Sequence, residues 1–200
     1  MVAVASIPGL ESAPDEQRML LHDVSWKEYV IFRELFDRPG LRMTYLRGAL
    51  ELMSPSPEHE LWKKNIARFI EMYAHLMNID LYGYGSTTFK KEAKERGAEP
   101  DECYLVGKQL DDFPEIVLEV IHTAPLLNKL DVYAGMGVSE VWIFKDGRFA
   151  LFALDRDSSQ YTQIERSRLL PALDFALVAR YAVRPDTPRA LREFERAIRG

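Results

Sequence analysis

Two hundred residues, 47% hydrophobic and 28% charged, describe an ordinary globular chain, long enough for one domain with a sizeable core. A net charge of −5 excludes a protein that coats nucleic acid by bulk electrostatics, and leaves room for an enzyme that grips a phosphodiester through a local basic patch. The single cysteine, Cys103, excludes a disulfide framework and a cysteine zinc site and points to the cytoplasm.

No apolar run reaches the ~20 residues of a membrane span, so no membrane partner is expected. Residues 1–12 lack the basic region of a signal peptide. Residues 1–18 have no periodicity and carry Pro8, Gly9 and Pro14, and are read as a flexible arm before a single domain over 19–200. The spacing of Trp26, Tyr29, Val30, Arg33 and Phe36 predicts a helix over 25–37, capped by Ser25 and stopped by Arg38-Pro39-Gly40. Residues 43–46 and 49–53, apolar around Arg47-Gly48, predict a β-hairpin. Ser56 can cap the next helix and Pro57 suits its first position. Over 58–77, Trp62, Ile66, Phe69, Ile70, Tyr73 and Met77 form one apolar stripe, joined at its first turn by His59. Glu60 lies about 100° round the helix from His59, and an acid there also favours the positive end of the helix dipole.

Residues 80–90 predict a strand with a bend. The charged segment 90–97, net positive, reads as a solvated loop or, because it directly precedes Pro100-Asp101, as a phosphate-facing patch. Strands follow at 103–106 and 115–122, then a helix over 124–136 ended by Gly135 and Gly137. Asp146-Gly147 joins strands 140–144 and 148–154 in a hairpin, with an edge strand at 161–164 and a terminal helix over 187–198. The order predicts an α/β domain with a mixed β-sheet flanked by helices. There is no internal repeat, Walker loop, dinucleotide glycine pattern or serine elbow.

Two acids stand apart. Glu119 lies inside the apolar run Ile116–Ile121, where a charge costs several kcal/mol unless it is paired or holds a cation. Asp101 precedes the neighbouring short strand. If the two strands are antiparallel neighbours the carboxylates meet, and a hard divalent cation would keep both ionised. The competing reading is a structural ion pair of Glu119 with Lys129 or Arg148.

Met53-Ser54-Pro55-Ser56-Pro57-Glu58-His59-Glu60, Glu99-Pro100-Asp101, Glu119-Val120-Ile121 and Asn128-Lys129-Leu130…Tyr133…Gly137-Val138-Ser139-Glu140-Val141-Trp142 occur in this order. The series, over about residues 25–174, resembles the Uma family of restriction-endonuclease-like proteins, a branch of the PD-(D/E)XK nuclease superfamily. The resemblance implies a restriction-endonuclease-like core and a Mg²⁺ (or Mn²⁺) ion held by Asp101, Glu119 and the carbonyl of Val120. It also implies a further acid at Glu60 with His59 beside it, and hydrolysis of DNA phosphodiester bonds. One departure stands out: the superfamily's lysine two residues after the strand glutamate is Ile121 here. Lys129, ten residues after Glu119, matches a basic position of the family and is the candidate replacement, with Lys90 or Lys91 as other sources of charge. His122 either flanks the metal site or is a strand-end histidine bonded to backbone. Cutting both strands of a duplex would be served by a homodimer. The contrasting expectation, favoured by Ile121 and the net charge, is a catalytically degenerate nuclease fold acting as a nucleic-acid or protein interaction module.

Overall fold

A computed structural model of the chain describes residues 16–36 and 40–200. Most of the predicted arm, residues 1–15, therefore lies outside the described residues. Its last two residues do not belong to an arm: Gln17 and Arg18 open strand β1 (Gln17–Leu21), which pairs antiparallel with β3 (Ala49–Ser54). Between them run α1 (Trp26–Leu35) and β2 (Arg42–Leu46). Ser25 caps α1 in a full capping box with Glu28, and Arg47-Gly48, both at positive φ, turn β2 into β3. Ser56 accepts from the His59 amide and Pro57 opens α2 (Pro57–Leu76), the longest helix among the described residues.

The strand predicted over 80–90 divides into two short strands that belong to different sheets. β4 (Leu81–Gly83) pairs with β7 (Glu102–Val106), whereas β5 (Phe89–Lys91) pairs with β6 (Arg96–Ala98). Residues 90–97 are accordingly not a free loop; β5 and β6 flank a single 3₁₀ turn at Glu92–Lys94. β8 (Ile116–Ile121) leads to α3 (Lys129–Met136) and returns in β9 (Glu140–Lys145), parallel to β8. α3 begins five residues later than predicted because the amides of Leu126 and Leu127 donate to Glu51 Oε2, at 2.9 and 2.8 Å, and Asn128 then caps the helix. β10 (Arg148–Asp155) and β11 (Gln160–Ile164) continue the sheet antiparallel. α4 (Phe175–Ala182), unpredicted, precedes α5 (Thr187–Arg199).

The strands form a five-stranded antiparallel sheet, β1-β3-β2-β6-β5, and a six-stranded mixed sheet, β11-β10-β9-β8-β7-β4. Side chains of α2, α4 and α5 pack on one face of the mixed sheet around Trp142, Tyr104 and Phe194. On its other face Val117 and Val141 meet α3 and, from the five-stranded sheet, Phe89 and Ala98. Every residue of β8 is therefore buried, which explains its unbroken apolar run and makes Glu119 the exception to be accounted for.

Candidate active site

β7 pairs Glu102 with Leu118 and Cys103 with Val117, and the Asp101 amide, just before the strand, donates to the Leu118 carbonyl at 3.1 Å, so Asp101 and Glu102 both stand against Leu118 as in a β-bulge. From there the Asp101 carboxylate takes the Val120 amide and lies close enough to Glu119 for its charge to act on that acid. Two carboxylates are thus brought together by backbone geometry, with Asp101 1% and Glu119 5% exposed.

Asp101 sits in a cage of donors. His59 Nε2 is 2.9 Å from Oδ1, the Val120 amide donates to Oδ2 at 2.8 Å, and Arg42 Nε stands 3.8 Å away. Burial pushes the Asp101 carboxyl up, but the His59 hydrogen bond and charge, with Arg42 and the Val120 amide, outweigh it and hold the group below the usual carboxylate range. His59, fully buried, presents its other nitrogen to Glu16 Oε2 at 3.0 Å. Burial disfavours the imidazolium, yet Asp101 and then Glu16 more than offset it, and the His59 pKa is raised. A carboxylate oxygen therefore faces each ring nitrogen, an arrangement that favours the imidazolium over the neutral ring. Glu16 is fastened in turn by Arg18 and by the hydroxyl and amide of Thr123.

Glu119 has a different environment. The Tyr133 hydroxyl donates to Oε1, and Lys129 Nζ lies 3.4 Å from the same oxygen while donating to Thr44 Oγ1 at 2.9 Å. Burial raises the Glu119 pKa; Lys129 opposes it, the Asp101 charge adds to it, and the net shift is upward. Neighbouring acids pushed in opposite directions are a common arrangement where one must stay ionised and the other can exchange a proton. Glu119 Oε2 has no hydrogen-bond partner among the described residues.

Glu60 lies at the margin, its side chain 43% exposed, bound by Arg42 Nη2 at 3.2 Å and by Lys63. Arg42 thereby links Glu60 to Asp101. Val120 serves Asp101 through its amide. His122 stacks at 4.2 Å on Trp62, its Nδ1 4.0 Å from Glu58 and its ring 5.8 Å from that of His59, so it flanks the cluster without touching the acids. Lys90 is exposed on β5 and Lys91 lies over the Phe113 ring at 5.2 Å; neither contacts Asp101 or Glu119. Arg148 makes no ion pair with Glu119, whereas Lys129 does.

Several members of the network have no motif around them in the sequence: Glu16, Arg18, Arg42, Thr44 and Lys63. Glu51 carried the same signal as Glu119, a charge inside an apolar strand, and it too is buried, bound by Arg18 and by the two amides that precede α3. Cavities of about 540 and 420 Å³ lie against β10 and α4, around Phe149 and Phe175, remote from these acids.

Among the described residues no group of three His, Cys, Asp or Glu side chains is arranged to hold a metal ion. The donor chemistry still suits a hard divalent cation: two carboxylates from adjacent strands, with Glu119 Oε2 unengaged, in an arrangement where Mg²⁺ keeps several waters of its own.

The family model Uma2, described as "Putative restriction endonuclease", matches residues 26–181. The chain belongs to the Uma2 family. The match covers every described strand but β1 and brings in Arg42, His59, Val120, Lys129 and Tyr133, which contact the central acids Asp101 and Glu119, as well as Glu60. Glu16 and Arg18 precede the matched region, so the outer support of His59 lies beyond what the Uma2 model covers. No curated protein matches the chain.

Proposed function

We propose that the chain is a divalent-metal-dependent endonuclease that hydrolyses DNA phosphodiester bonds, with Asp101 and Glu119 as the carboxylate ligands. The observation that carries this reading is the approach of Lys129 Nζ to Glu119 Oε1, 3.4 Å, from a helix that starts ten residues after the acid. That amine is 11% exposed rather than solvated, which supports reading Lys129 as the replacement for a lysine at position 121.

Bound Mg²⁺ or Mn²⁺ would supply a Lewis acid for the scissile phosphate and lower the pKa of a bound water. The protein's own groups do the rest. Asp101, kept ionised by His59 and Arg42, is a fixed anionic ligand at neutral pH. Glu119, whose Oε1 is held by Tyr133 and Lys129, would offer Oε2 as the second carboxylate ligand. Lys129 donates to that water or to a non-bridging phosphate oxygen, and Thr44 and Glu119 hold the amine in place. Glu60, tethered through Arg42, adds negative charge at the rim where hydrated metal would be retained. A homodimer would place two such sites on the two strands of a duplex.

The second reading, a catalytically degenerate interaction module, draws on Ile121 and on the fact that His59, Arg42 and Lys129 already compensate both acids without a metal ion. Incubation of the purified chain with supercoiled plasmid, in Mg²⁺, in Mn²⁺ and in EDTA, separates the two. The endonuclease produces nicked or linear DNA with either metal and none in EDTA; intact plasmid in all three supports the module.

A further inference from the structure

A second cluster of charges lies on the far side of α3. A cavity of about 260 Å³, several times the ~30 Å³ share of one water, is lined by Arg47, Lys94, Arg96, Asp131, Gly135 and Ser159. The three cations arrive from separate elements: Arg47 from the β2–β3 turn, Lys94 from the 3₁₀ turn and Arg96 from β6. None of the three forms an ion pair with a carboxylate among the described residues. Arg47 and Lys94 are exposed, so the interior cation without a carboxylate is Arg96, whereas Arg18, Arg42 and Lys63 each face an acid.

Arg96 is the anchor. It is 7% exposed, donates from Nε to the Asp131 carbonyl at 2.9 Å and from Nη1 to the Lys94 carbonyl at 2.7 Å, and has no partner for Nη2. Its side chain runs so close to α3 that a Cβ at Gly135 would fall 2.0 Å from Arg96 Cδ, so glycine is required there for the guanidinium to enter. A buried guanidinium held by neutral carbonyls, with two exposed cations at the mouth, is built to receive an anion. Asp131 is the one acid on the wall, and its carboxylate is engaged by Asn128 Nδ2 at 3.1 Å.

We infer that the Arg47–Lys94–Arg96 cavity is a phosphate-binding subsite that takes a backbone phosphate of the nucleic acid, displaced by a few nucleotides from the scissile bond. The inference rests on the proposed function for the source of the phosphate. α3 joins the two places, since Lys129 reaches Glu119 and Gly135 borders the cavity. Six residues of helix span ~9 Å at ~1.5 Å each, about three nucleotide steps at ~3.4 Å. The subsite reads charge and not sequence, so it fixes position along the strand. It also gives a task to the positive segment 90–97, which makes no contact with the two acids.

Fluorescence anisotropy of a labelled 20-base-pair duplex, with the full chain in EDTA so that nothing is cut, measures the site. Arg47→Ala with Lys94→Ala should weaken binding about tenfold or more and lower the slope of log K against log salt by about two. The paired variant Arg47→Lys with Lys94→Arg should retain most of the affinity. Ser159→Asp removes no cation and suits the positive φ of that residue; it should weaken binding as well. Wild-type affinity and slope in both the double alanine variant and Ser159→Asp overturn the subsite. A chain that binds inorganic phosphate here, read by protection of Lys94 from acylation, but binds no duplex overturns the nucleic-acid source. Plasmid cleavage by wild type, measured separately, keeps failure of the nuclease reading distinct from failure of the subsite.

Discussion

Lys129 Nζ lies 3.4 Å from Glu119 Oε1, although the two residues sit on different elements, and the strand position two residues after Glu119 is an isoleucine, Ile121. Lys129→Met keeps most of the apolar stem and removes the charge, and should lower the rate of plasmid cleavage by about a hundredfold while leaving the chain folded. Ile121 shares a strand face with Glu119. Ile121→Lys in the Lys129→Met background should therefore recover part of the lost rate. Single-turnover cleavage of both variants is the check, and an undiminished rate in Lys129→Met removes the amine from the mechanism.

His59 joins Glu16 to Asp101 from a position with no solvent exposure. His59→Ala would leave two buried carboxylates facing an empty site, at a cost of about 3–5 kcal/mol. His59→Gln keeps one donor and should cost less. Urea denaturation of the three proteins in EDTA measures the difference, and a stability loss below about 1 kcal/mol in His59→Ala would show that the bridge is not what holds Glu16 and Asp101.

Much of this framework was legible before any coordinates. The Ser25 and Ser56 caps, the Arg47-Gly48 and Asp146-Gly147 turns and the apolar stripe of α2 each follow from local chemistry. So does the need of Glu119 for a partner, because a charge in an apolar strand must be compensated, and the ion pair with Lys129 meets it. The partners themselves were not legible. Thr44 lies 85 residues from Lys129, and Glu16 lies 43 residues from His59. Glu16 is contiguous with residues that carry no periodicity, and β1 beside it has only five residues. α4, with eight residues, is shorter than the ~10–12 at which periodicity distinguishes a helix from a buried strand.

Glu102 follows Asp101, but its carboxyl group makes no hydrogen bond or ion pair among the described residues. Burial pushes its carboxyl up to about 7, Lys63 and Lys64 restrain it, and Glu71 adds to the rise. Folded Glu102 thus holds its proton between the ordinary value of 4.5 and about 7, where the unfolded chain has lost it. Its contribution to stability is present below pH 4.5 and is lost as pH rises through 7, a fall of roughly 3 kcal/mol. Glu102→Gln cannot titrate, so metal-free variant protein should lose less Tm than wild type between pH 5 and pH 8. Parallel Tm curves would place the titration elsewhere.

Glu51 ties Arg18 to the amides of Leu126 and Leu127 and so sets where α3, and with it Lys129, begins. Glu51→Ala strands two amides in the interior and leaves Arg18 only Glu16 and Thr123, and should cost about 3 kcal/mol or more. Glu51→Gln retains an acceptor and should fall between. Thermal unfolding ranks the three, and equal Tm values would contradict the role.

Asp101→Asn preserves shape and the Val120 amide contact while removing the charge that His59 and Arg42 share and that a divalent cation would need. Its cleavage of supercoiled plasmid in Mg²⁺, measured beside wild type on folded protein, tests the central claim most directly. The account predicts nicking by wild type and a rate at least about a hundredfold lower in Asp101→Asn. Equal rates in the two proteins, or equal rates with and without metal, would contradict it.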